Sequence, residues 1–305
     1  MNLINLLFIQ LTVVIVILGT LMNLIEKHLP TNVKQMFRYG KHAYNGEKSD
    51  KLVSKIEIPK TWFKHFYVFA LFWSWSAVIL SIAIYFFDQK PHEYFIKYLD
   101  LSCGQDRKAE TSPLLTLSTL ILMTLQCTRR FVETNFLQIF SKKSKINLTH
   151  YMCGYLHYYG VIVLIIAKSE GFTRDQNIPL ITFKSSEMFR VFIATMLFIY
   201  LWYKQYESNM IFINLRKNKS GKVTTEIHLM PKGGWFEYVS SPHMTSEVGM
   251  YLVLYILLFQ NTSYIYCLLW VVSNQFSNAL LTHQWYKDTF SDYPKNRKAF
   301  IPFLI

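Results

Sequence analysis

Four clusters of polar side chains in this chain of 305 residues have the types and spacing to do chemistry. Arg129, Arg130, Glu133 and Asn135 directly follow an uncharged run, and Gln205, Asn209, Asn214 and Arg216 follow another. Helical spacing puts Gln205, Asn209 and Arg216 on one face. His243 and Glu247 are spaced i, i+4, and His283 and Tyr286 i, i+3. An arginine fork matches phosphate oxygens two at a time. A cavity lined by arginines, amides and tyrosine therefore suits a phosphate-bearing nucleotide. Each residue alone reads as well as a helix cap or a snorkelling side chain. Ionisable groups gathered at membrane depth point instead to a shared, functional cavity.

The missing motifs narrow the chemistry. No G-x-G-x-x-G and no G-x-x-x-x-G-K-[ST] occurs, so neither a Rossmann fingerprint nor a P-loop is available. There is no C-x-x-C, no H-E-x-x-H and no His pair at i, i+4, so no metal site is expected. Cys103, Cys127, Cys153 and Cys267 are scattered and read as packing residues. The N-x-[ST] triplets at Asn147, Asn218 and Asn261 are expected to carry no glycan, two lying on the basic side of the chain and one in a tight turn.

These side chains must be held by membrane helices. The chain is 51% hydrophobic and only 17% charged, where soluble domains carry roughly 25% charged residues. No Asp, Glu, Lys or Arg occurs in 1–25, 66–87, 111–128, 151–167, 191–203 or 248–286. A helix crosses the hydrocarbon core with about 20 apolar residues, so the last run holds two crossings joined near Asn261, Thr262 and Ser263. The expected architecture is an all-α integral membrane protein of seven helices. The first run reads as a span rather than a cleaved leader, because its apolar core is long and no basic residue precedes it. Segments 26–65, 129–150, 204–247 and 287–305 carry the whole formal net charge of +13, and the intervening ones sum to zero. Positive segments stay cytosolic, which puts the N-terminus in the lumen and the C-terminus in the cytosol. Basic residues flanking spans select phospholipid head groups, not nucleic acid.

Longer strings carry a resemblance. Trp235-Phe236-Glu237-Tyr238-Val239-Ser240-Ser241-Pro242, then Glu247, and Tyr293-Pro294-Lys295-Asn296-Arg297-Lys298-Ala299-Phe300-Ile301-Pro302-Phe303-Leu304 resemble the steroid 5α-reductase family. Asn214-Leu215-Arg216-Lys217-Asn218-Lys219 and Arg38-Tyr39-Gly40-Lys41 resemble its polyprenol reductase branch. The match is dense over 200–305 and sparser, but in order, over 30–200. The resemblance implies one membrane domain over 1–305. Its first part, 1–200, faces substrate, and 200–305 holds most cofactor contacts. It further implies an endoplasmic-reticulum enzyme that takes hydride from NADPH to saturate a C=C bond. Its cofactor contacts fall here on Arg130, Gln205, Asn209, Arg216 and Tyr286, with Glu247 near the nicotinamide and His283 in the His-x-aromatic-Tyr stretch. Two positions depart from the steroid enzymes: His243 stands where they have Asn, and His65-Phe66 replaces their Gln-Glu pair.

The branch implies a polyisoprenoid substrate in dolichol synthesis, and so in support of protein N-glycosylation, with no obligate protein partner. Hydride addition to C=C needs an electron sink, which an unsaturated aldehyde has and an allylic alcohol lacks. The expected substrate is therefore polyprenal, with His65 polarising its oxygen beside Glu247 and His283 as catalytic groups. Its long tail must leave the bundle sideways, and the aromatic second run (Phe66, Tyr67, Phe69, Phe72, Trp73, Trp75) is one exit; an interfacial aromatic belt is the simpler reading of it. A steroid reductase and a non-catalytic lipid carrier remain as alternatives. The carrier would tolerate Arg216→Ala and Glu247→Ala.

Overall fold

The computed structural model describes residues 1–38, 50–141, 144–174, 181–218, 220–225 and 227–305. Tyr39, Gly40, Lys41 and Lys219 of the strings above lie outside the described residues.

Ten α-helices occur among the described residues: α1 (Leu3–Leu24), α2 (Thr31–Phe37), α3 (Lys51–Lys55), α4 (Phe63–Phe86), α5 (Glu93–Cys103), α6 (Pro113–Val132), α7 (Leu148–Ala167), α8 (Ser185–Asn214), α9 (Pro242–Leu257) and α10 (Tyr264–Thr289). Seven of these have 16 residues or more and coincide with the uncharged runs. Four segments, Leu3–Leu24, Lys60–Phe86, Leu148–Ala167 and Ser185–Asn214, are long and apolar enough to cross a membrane on their own composition. The other three long helices are α6, α9 and α10. Buried threonines and Gln126 lower the apolar content of α6, α9 is short, and α10 carries Asn274, Gln275, Asn278 and His283.

Local chemistry sets the helix ends. The Asn2 side chain accepts the Asn5 amide at 2.9 Å to start α1, and the Asn147 side chain accepts the Thr149 amide at 2.9 Å to start α7. Proline takes the first position of α6 and α9, where its missing N–H costs nothing. After α6 the chain widens into a π-helical turn, Glu133–Leu137. The turn between α9 and α10 falls where expected, and the Asn261 amide donates to the Leu164 carbonyl at 2.8 Å. One element has no counterpart in the sequence reading: β1 (Glu57–Pro59) pairs antiparallel with β2 (Lys145–Asn147), Ile58 opposite Ile146.

The core runs the length of the bundle. α1 lies along α10, α4 along α6 and α7, and α8 along α9. α1 and α10 touch at Gly19, where a Cβ would fall 2.4 Å from the Ser277 Oγ, a small-residue contact of the kind that joins membrane helices. The outer faces stay apolar: Val13, Val14 and Ile17 of α1, Phe72 and Ile79 of α4, and Phe189, Phe192 and Met196 of α8 are exposed. Water would not tolerate patches of this extent, whereas lipid does.

One end of the bundle is locked by buried charge. Arg107 donates to Asp100 and to the carbonyls of Ala167 and Phe172, and Arg174 donates to the other Asp100 oxygen at 2.6 Å. The opposite end, where α7 begins, opens into a cavity.

Candidate functional site

Five helix ends build this cavity of about 320 Å³. Phe63 and Tyr67 come from the start of α4, with Lys60 just before it, and Arg130 and Glu133 from the end of α6. Asn209 and Phe212 come from the end of α8, His243 from the start of α9, and Asn278, Thr282 and Tyr286 from the end of α10. The connection after the π-turn, Gln138 to Ser141 and Ser144, closes one side, and Arg216 and the 227–229 segment close another.

A buried polar network backs the cavity. The Arg130 guanidinium pairs with Glu133 and donates to the Tyr67 hydroxyl at 3.1 Å. Asn209 donates to Glu133 at 2.8 Å. Arg129 lies 3.4 Å from the other Glu133 oxygen and donates to the side-chain oxygens of Gln126 and Gln205. Gln205 in turn donates to Glu247 and to the His243 carbonyl, both at 3.0 Å. Three long helices are thereby joined through charge-assisted bonds, which are shorter and stronger than neutral ones, and they hold Arg130, Asn209 and His243 in place.

The sequence-derived candidates fall into two sets. Arg130, Asn209, Arg216, His243 and Tyr286 line the cavity. Gln205 and Glu247 stand behind that wall in the network. The expected single helical face for Gln205, Asn209 and Arg216 is broken by the end of α8 at Asn214; Arg216 reaches the cavity from a turn and donates to the Ile139 carbonyl. His65 and His283 are not among the lining residues. His65 Nδ1 meets the Tyr151 hydroxyl at 3.3 Å, on the flank of α4 turned toward α7. His283 Nδ1 meets the Ser240 hydroxyl at 2.6 Å and the Tyr293 hydroxyl at 3.1 Å. Burial pushes the Tyr293 phenol up from its ordinary value, so it stays protonated in this cluster.

Sequence reasoning missed Lys60, Tyr67 and Glu133 as lining residues. The signal was present: Lys60, Phe63 and Tyr67 recur at i, i+3, i+7, one helical stripe leading into an aromatic span. The donor set fits a nicotinamide dinucleotide. Arg130, Arg216 and Lys60 match phosphates, Asn209, Asn278 and Thr282 offer hydrogen bonds, and Tyr67, Phe212 and Tyr286 offer ring faces. Among the described residues no group of three or more His, Cys, Asp or Glu could hold a metal ion.

A helical membrane bundle with a cationic cavity at one end is the architecture of a membrane oxidoreductase, and sequence comparison agrees. The chain belongs to the steroid 5α-reductase family: residues 142–305 match its model, described as 3-oxo-5-alpha-steroid 4-dehydrogenase. It is similar over its whole length to polyprenal reductase of Drosophila melanogaster, 46% identical over 307 residues that cover 100% of this chain and 94% of that one. Polyprenal reductase of Caenorhabditis elegans is 30% identical over 92% of this chain and 90% of its own. The human polyprenal reductase is 30% identical over 89% and 85%. The likeness thus extends well upstream of the 200–305 region in which the family strings are densest.

Proposed function

We propose that this protein saturates the α-isoprene C=C bond of polyprenal with NADPH, in the endoplasmic-reticulum membrane, as a step toward dolichol for protein N-glycosylation. The observation that carries the reading is the end-to-end similarity to proteins named polyprenal reductase, supported by a cavity whose donors suit a dinucleotide. Seven crossings, with the basic segments and the cavity on the cytosolic side, complete the proposed arrangement. A cytosolic mouth admits the cofactor from water and lets the isoprenoid tail remain in lipid.

NADPH, when bound, supplies the hydride that adds to the carbon β to the aldehyde. Arg216 and Arg130 bind phosphate oxygens, Asn209 and His243 hydrogen-bond the dinucleotide, and Tyr286 packs against it. Glu247, set by Gln205, fixes the first turn of α9 near the nicotinamide. The residues must also stabilise negative charge that develops on the aldehyde oxygen. His65 was the sequence candidate. Tyr67 is better placed, because it lines the cavity and its hydroxyl oxygen is already bonded to Arg130. A phenol polarised by a guanidinium is a stronger donor to the enolate oxygen. The α-carbon then takes a proton, which gives the saturated aldehyde.

The test offers purified protein NADPH with polyprenal, polyprenol and a 3-oxo-4-ene steroid in parallel, free of alcohol dehydrogenase. Saturation of polyprenal alone is the expected result. Saturation of polyprenol alone would rule out the aldehyde, saturation of the steroid alone would favour the steroid alternative, and no turnover would favour the lipid carrier.

A further inference from the structure

Two cations that lie far apart in the sequence share the mouth of the cavity. Lys60 precedes α4 and Arg216 follows α8, and both line the cavity wall. The same connection fixes both. The Lys60 amide donates to the Ser144 carbonyl at 2.9 Å, and the Arg216 guanidinium donates to the Ile139 carbonyl. The register of β1 on β2, with Pro59 opposite Lys145, is what places Lys60 beside Ser144. A one-residue slip would turn every side chain of the strand to the other face.

We propose that Lys60 and Arg216 clamp the 2′-phosphate of the dinucleotide and so select NADPH over NADH, a role that makes the β1–β2 ribbon a cofactor-selecting device. The proposal rests on the nicotinamide-dinucleotide reading above. The like charges of Lys60 and Arg216 act on each other, and holding them at one wall costs free energy that an anion between them offsets. Glu133, the lining acid, is committed to Arg130, Arg129 and Asn209, so the mouth stays cationic. A phosphomonoester carries a charge of about −1.5 to −2 at neutral pH, which matches two cations. Arg130, bonded to Tyr67 in the backing network, is left for the pyrophosphate.

The experiment is equilibrium binding to the full-length, detergent-purified protein, read by tryptophan fluorescence with NADPH, NADH and 2′,5′-ADP. K60Q is expected to weaken NADPH and 2′,5′-ADP by about ten- to a hundredfold, the loss of one hydrogen bond to a charged group. NADH should change less than about twofold, and K60R should keep most of the NADPH affinity, on the grounds that the loss is one of charge. K60R guards against a K60Q defect in folding. Equal losses for NADPH and NADH, or no loss for either, would overturn the clamp while leaving the dinucleotide reading intact. Failure of the wild-type protein to bind any dinucleotide would instead overturn that reading. If K60Q lost binding to phosphatidic acid vesicles but kept NADPH, the clamp would belong to a lipid head group, and the proposal would fall.

Discussion

The Gln205 side-chain amide donates to the Glu247 carboxylate at 3.0 Å, across the interface of α8 and α9. The same side chain accepts from Gln126 at 2.8 Å and from Arg129, so both ends of one amide are used to join three helices. Gln205→Leu removes all of these bonds at once and leaves buried polar partners unmet. Each unmet group costs about 1–3 kcal/mol, so thermal unfolding in detergent should shift clearly downward. Glu247→Gln can still accept from Gln205 and should unfold near the wild-type temperature. If Glu247 acts electrostatically at the nicotinamide, this variant will lose turnover without losing stability; full activity would deny it that role.

Tyr67→Phe separates binding from chemistry. The variant keeps the aromatic wall and removes the hydroxyl bonded to Arg130. Turnover of polyprenal should drop by about 10²–10³-fold, the usual cost of losing one oxyanion donor, while NADPH affinity holds. The parallel variant His65→Phe should retain most of its turnover, because the His65 ring is bonded to Tyr151 on the other flank of α4. The reverse ranking in a single-turnover assay would return the polarising role to His65.

Gly19 tests the closure of the bundle. Gly19→Val would press into Ser277, and overpacking of this kind costs about 1–3 kcal/mol. Adding Ser277→Gly should restore part of the unfolding temperature by reopening the space. Absence of rescue in the double variant would mean that α1 does not pack on α10 as described.

At the other end, Asp100→Asn leaves the Arg107 charge buried with a neutral partner. Breaking a buried pair costs about 3–5 kcal/mol, so stability should fall steeply. The Arg107–Asp100 lock lies at the end of α7 away from the cavity, so NADPH affinity in the folded fraction should be unchanged. A parallel fall in affinity would show that the two ends are coupled.

The spans were legible because an uncharged apolar run has few other destinations. The runs 1–25, 66–87 and 111–128 match α1, α4 and α6 within a few residues, and Asn261 to Ser263 mark the turn. The run 191–203 was too short, because Glu187 and Arg190 lie inside α8. They are accommodated there, Glu187 by the Ser112 hydroxyl at 2.8 Å and Arg190 over the Phe259 ring. The β1–β2 ribbon was hidden, since strands of three residues are too short to show alternation. In the site, cations and amides at helix ends stood out, whereas Tyr67 was masked by the rings around it. Gln126, two turns inside an apolar helix, gave no sign of the partners it meets.

Asn5 of α1 donates to the Ser263 hydroxyl at the N-cap of α10 at 3.2 Å, and the two helices then run side by side. The first span made therefore acquires its partner only when the last one is synthesised. Until then the Gly19 face of α1 stays in lipid, and the cavity lacks the wall that holds Asn278, Thr282 and Tyr286. Assembly is consequently post-translational for the site as a whole. A nascent chain stalled before α10 would display an open seam to the surveillance machinery of its membrane, which makes bundle closure a natural checkpoint for release of the finished protein.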